Sequence, residues 1–130
     1  MNRKILILAS LLGIVGVILG AFGAHGLKEL ISVEMQQTFE TGVRYQMYQA
    51  ILLLFVGSTE HIRLKTKAII FYLVFIGVIF FSGSIYGLST NELTSFDFKT
   101  VAIITPIGGL LLILAWFFMF IEFIKNKALK

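Results

Sequence analysis

Four apolar stretches fill most of this 130-residue chain, at residues 5–24, 43–59, 68–88 and 100–121, and three of them carry no charge over at least 20 residues. Twenty residues of helix rise about 30 Å, the thickness of the hydrocarbon layer of a bilayer. A backbone in that layer must satisfy its own hydrogen bonds, so runs of this length fold as helices. The pattern predicts an all-α, polytopic membrane protein: a single domain over 1–130 in which four transmembrane helices form a bundle.

Composition agrees. Hydrophobic residues make up 58% of the chain and charged residues 14%, far from the balance of a soluble domain. There is no cysteine, which excludes a disulfide framework and a thiolate metal site. The net charge of +4 is distributed as membrane insertion requires rather than as a nucleic-acid face. Arg3 and Lys4 precede the first stretch, Arg63, Lys65 and Lys67 follow the second, and Lys125, Lys127 and Lys130 end the chain. Only Lys28, Arg44 and Lys99 fall on the opposite side of a four-span path. The positive-inside rule then places both termini in the cytoplasm. Arg3, Lys4 and the later Ala21-Phe22-Gly23 also imitate a signal peptide, but a run this long spans the bilayer, and its loss would leave the basic second connection outside.

Between the first two stretches, Leu27, Leu30, Ile31, Met35 and Phe39 recur at three- and four-residue spacing among charged and amide residues. This predicts an amphipathic helix lying in the outer interface. The second span is the weakest, because Arg44, Gln46 and Gln49 occupy its start. Residues 60–67 read as a cytoplasmic turn, and Phe96 and Phe98 of the third connection as outer-headgroup anchors.

An up-and-down path brings the C-terminal ends of the first and third helices level with the N-terminal ends of the second and fourth. The polar and small residues of all four therefore gather in the outer half. The motifs there are Gly20-Ala21-Phe22-Gly23-Ala24-His25-Gly26-Leu27-Lys28, Tyr45-Gln46-Met47-Tyr48-Gln49-Ala50, Phe81-Ser82-Gly83-Ser84-Ile85-Tyr86 and Ile104-Thr105-Pro106-Ile107-Gly108-Gly109. In this order they resemble the YgdD/YwdK family of small bacterial membrane proteins, a domain-of-unknown-function family. The resemblance implies a four-helix protein of the bacterial cytoplasmic (inner) membrane and no established activity. The family pattern has histidine where this chain has Gln49, so a mechanism that needs histidine there does not transfer.

Two sets of residues stand out. The candidate polar nest is His25, Arg44, Gln46, Gln49, Ser82, Ser84, Tyr86 and Thr105, able to hold a lipid headgroup, an anion or a proton. The structural alternative has His25 ending the first helix and Arg44 pairing with Glu40 or reaching the interface. The second set serves packing or hinging. Gly16, Gly20 and Ala24 share one helix face, as do Gly83 and Gly87, which suits close helix approach in lipid. Pro106 lacks an amide hydrogen, so the fourth helix should kink or start irregularly near it, with Gly108 and Gly109 beyond.

No catalytic, metal or cofactor site can be assembled. His25 and His61 fall at opposite faces, and the one nucleophile–base pairing the topology allows, Ser82 or Ser84 with His25, is weakly motivated. The sequence favours a non-enzymatic structural or accessory component that supports membrane organisation or a membrane complex. Its expected partners are membrane lipids, itself or another membrane protein, and not nucleic acid. The alternative is a small-solute, ion or lipid carrier that uses the nest.

Overall fold

A computed structural model describes residues 1–93 and 102–129. Four long helices and no strand are found among them. Helix α1 spans Asn2–Ala24 and α2 spans Val33–Ser58. Helix α3 spans Leu64–Ser89, with a π-helical turn at Ile79–Gly83 inside it. A short 3-10 turn, Asn91–Leu93, follows, and α4 spans Ile104–Lys125. Helices α1, α3 and α4 are long and apolar enough to cross a membrane. Helix α2 has the length, 26 residues or about 39 Å, but carries Glu34, Glu40 and Arg44 in its first half.

Neighbouring helices run antiparallel. Gly23 of α1 faces Phe39 of α2, Gly16 faces Met47, and Leu6 faces Gly57. Likewise Gly77 of α3 faces Leu112 of α4, while Gly108 faces Phe80 and Phe81. The result is two antiparallel hairpins joined through α2 and α3, with α3 touching each of the other helices. Ile5, Leu53, Val56, Ile70, Val74 and Ala115 fill the centre. The lipid-side faces are covered by exposed Ile, Leu, Val and Phe, the inverse of a soluble bundle. Both chain ends lie at one end of the bundle, beside the α2–α3 connection, since the Lys67 amine reaches Asn2 and Asn126 reaches the His61 carbonyl.

The structure differs from the sequence expectation in three places. No separate interfacial helix stands between α1 and α2. Residues 25–30 form turns and Ser32 is extended, its hydroxyl accepting the Met35 amide as the cap of α2. That cap lies five residues after Leu27, which is fully buried. The amphipathic pattern of Met35 to Phe39 belongs to the first turns of α2, which continue unbroken to Ser58. Second, α3 begins at Leu64, so the basic Lys65 and Lys67 are helical rather than part of a long turn. Third, Pro106 sits in the first turn of α4, where an amide has no intrahelical acceptor in any case, so the irregularity is a helix start and not an interior kink. Phe96, Phe98, Thr100, Val101 and Lys130 lie outside the described residues.

Candidate functional site

The expected nest divides into parts with different chemistry. At its centre is Gln46, buried on α2. Its Nε2 donates to the Leu12 carbonyl of α1 at 2.8 Å, and its Oε1 accepts the Tyr86 hydroxyl of α3 at 2.6 Å. One amide thus ties three helices together. The Tyr86 ring packs on Phe39 at 5.1 Å between centroids, and Gly42 makes room for it, since a Cβ there would come within 2.8 Å of the ring.

The serines are also engaged between or within helices. Ser82, fully buried in the π turn, donates to the Gly42 carbonyl of α2 at 2.7 Å. Ser84 donates to the Phe81 carbonyl and shares a 2.5 Å hydrogen bond with Thr105 of α4. A π turn widens the helix locally. Here it lies where Gly108 presses the α4 backbone against the Phe80–Phe81 peptide, leaving no space for a Cβ. Gly16 plays a similar part between α1 and α2. Gly20 and Gly109 make looser contacts, Gly83 faces open space, Gly87 is half-buried and Ala24 is exposed.

His25 and Arg44 do not join this group. His25 ends α1 through its backbone amide, which reaches the Ala21 and Phe22 carbonyls, and its side chain is exposed. Arg44 is exposed as well, and among the described residues it forms no ion pair with Glu40.

Gln49 is a different case. It is 3% exposed, yet its Oε1 has no hydrogen-bond partner among the described residues. An unsatisfied buried amide oxygen costs about 1–3 kcal/mol. Gln49 lines two adjoining grooves between α2 and α4, with free volumes of about 570 and 420 Å³, which share Tyr45, Gln49 and Trp116. Leu52, Phe55 and Met119 wall the first, Phe81 and Leu112 the second. The grooves exist because α2 and α4 scarcely touch, meeting through long side chains such as Phe55 and Phe123.

Comparison with known proteins places the chain. The model of a family described as a protein of unknown function, DUF423, matches residues 19–109, which hold every nest residue. The chain belongs to the DUF423 family. Membrane protein SH2409 of Staphylococcus haemolyticus is 37% identical over 126 residues, covering 95% of this chain and 97% of the relative. Membrane protein YwdK of Bacillus subtilis is 34% identical, covering 95% and 98%. Inner membrane protein YgdD of Escherichia coli is 31% identical, covering 97% and 93%. No solved structure matches. Family membership and three membrane-length helices together make this a membrane protein.

A second polar cluster of this DUF423 chain, at the end holding both termini, was not anticipated from the sequence. Glu122, 5% exposed, accepts Arg63 Nε at 2.7 Å and the Arg63 backbone amide on one oxygen, and Arg63 Nη2 and the Thr66 hydroxyl on the other. Hydrogen bonding to this carboxylate raises the Arg63 guanidinium above its ordinary range. Lys67, 2% exposed, donates to Asn2 Oδ1 at 3.0 Å and to the Thr59 carbonyl at 2.5 Å. The available signal was a lone carboxylate at the end of an apolar run, one helical hairpin away from an arginine.

Proposed function

We propose that the chain acts without catalysis, as a small multi-pass helix bundle that supports membrane organisation or a membrane complex. One observation carries this reading: apart from Gln49, the buried polar side chains of the outer half are engaged in hydrogen bonds within the bundle. Gln46, Ser82, Ser84, Tyr86 and Thr105 each hydrogen-bond another helix. Ser82 and Ser84 bond to carbonyl oxygens while His25 is exposed, and no hydrogen bond joins either serine to a base among the described residues. Such contacts hold helices together where lipid offers no hydrophobic drive for association.

Placement in the bacterial cytoplasmic membrane with four passes and both termini inside belongs to the same proposal. It draws support from the two chain ends meeting beside the basic α2–α3 connection, where Arg3, Lys4, Arg63, Lys65, Lys67, Lys125 and Lys127 fall. The carrier reading keeps one observation in its favour, the unpartnered Gln49 at a groove.

Native purification in mild detergent, followed by mass spectrometry, separates the two. The structural reading expects a membrane protein recovered with the chain in fixed ratio, and that recovery unchanged in a Gln49→Ala variant. Solute flux in proteoliposomes that Gln49→Ala abolishes would overturn it.

A further inference from the structure

We infer that the α2–α4 groove is a binding site for a neutral, long-chain alcohol: an apolar amphiphile whose hydroxyl pairs with the Gln49 amide. This does not depend on the structural role proposed above, since a scaffold and a carrier could each hold such a ligand.

Three features of the groove select this chemistry. Its volume, about 570 Å³ in the larger part, lies within the range of small-molecule pockets. Its walls are apolar and aromatic, with Tyr45, Tyr48 and Trp116 beside Leu52, Leu112 and Met119. No charged side chain lines either part, so a phosphate, carboxylate or ammonium headgroup would lose its hydration with nothing to replace it. The ligand is therefore neutral and mostly hydrocarbon.

Gln49 supplies the single specific contact. Its oxygen is buried without a donor, while every other buried side-chain nitrogen or oxygen among the described residues has a partner or contact with solvent space. Gln49 lines both parts of the groove, and the terminal torsion of glutamine is soft, so its amide can present either end to a ligand there. A hydroxyl both donates and accepts, and so complements either end of an amide. An ether or an alkane has no proton to offer. The π turn at Ile79–Gly83 sets the far wall, because Phe81 stands in it, 5.3 Å from the Tyr45 ring. π turns within α-helices occur often at functional sites.

Trp116, the one tryptophan of the chain, lies in the groove and provides the readout. The full chain in phosphatidylcholine nanodiscs is titrated with ω-bromoundecanol and, separately, with its methyl ether, and bromine quenching of Trp116 is followed. The alcohol should quench saturably at concentrations about fivefold lower than the ether, the value of one net hydrogen bond. Gln49→Leu removes a polar atom that has no partner and should fold; it should bring the two curves together. Ile113 lines the smaller part of the groove on α4, so Ile113→Phe narrows it, leaves Gln49 in place, and should weaken both probes alike. Coincident curves for the unaltered chain would overturn the inference. So would an alcohol preference that survives Gln49→Leu, or an Ile113→Phe variant that binds both probes undiminished.

Discussion

The Tyr86 hydroxyl donates to Gln46 Oε1 at 2.6 Å while the same amide donates from Nε2 to the Leu12 carbonyl, so a tyrosine on α3 orients a glutamine that α2 presents to α1. Each partner is held in place by the other. Hydrogen bonds between membrane helices contribute about 0.6 kcal/mol on average and up to about 1.7. Tyr86→Phe should therefore lower stability toward denaturing detergent by about 0.5–1.5 kcal/mol. Gln46→Leu should cost more, because it removes the bond to the Leu12 carbonyl as well as the acceptor of the Tyr86 hydroxyl. In a double-mutant cycle the pair should show coupling, and strict additivity would mean that the two side chains do not act together.

Glycine substitutions should sort by what faces them. Gly108→Ala drives a methyl group into the Phe80–Phe81 backbone, which cannot rotate away as a side chain could. A loss of about 1–3 kcal/mol is expected, typical of overpacking. Gly83→Ala meets nothing within 4 Å and should be neutral or slightly stabilising. Equal losses at both positions, measured by unfolding in mixed micelles, would contradict the closeness of the α3–α4 crossing.

Glu122 gathers the α2–α3 connection onto the end of α4 through four hydrogen bonds. Glu122→Ala should lower the thermal midpoint more than Thr66→Val, since it removes the acceptor for Arg63 as well as for Thr66. Differential scanning fluorimetry of the purified variants distinguishes them. A larger effect at Thr66 would show that the carboxylate is not the organising group.

The absence of native cysteine makes topology directly testable. With the proposed orientation, Glu29→Cys should react with an impermeant maleimide in intact spheroplasts. His61→Cys should react only after permeabilisation. The reverse pattern would invert the bundle, and labelling of both from outside would remove the α2 crossing.

Much of this protein was determined by periodicity and composition. Uninterrupted apolar length placed α1, α3 and α4, because in lipid the only backbone solution for such a run is a helix. The four apolar stretches predicted an up-and-down path, and antiparallel packing of the helices implies the same register of ends. The resemblance in four short motifs led to the family. What the sequence could not decide was which polar residues meet. Gln46 and Gln49 stand three residues apart on one helix and have similar burial, yet one bridges three helices and the amide oxygen of the other has no partner among the described residues. That difference depends on which neighbour each rotational position faces, set by the α1–α2 and α2–α4 distances, and no local pattern encodes it. The interfacial helix was misjudged for a related reason: a three- to four-residue stripe does not record whether a turn interrupts it, and the Ser32 cap and the burial of Leu27 placed the interruption. Only the tertiary fold joined Arg63 to Glu122 across 59 positions, and only it opened the groove beside Trp116. Helix identity is written in consecutive residues, whereas partner choice is settled by distances between helices.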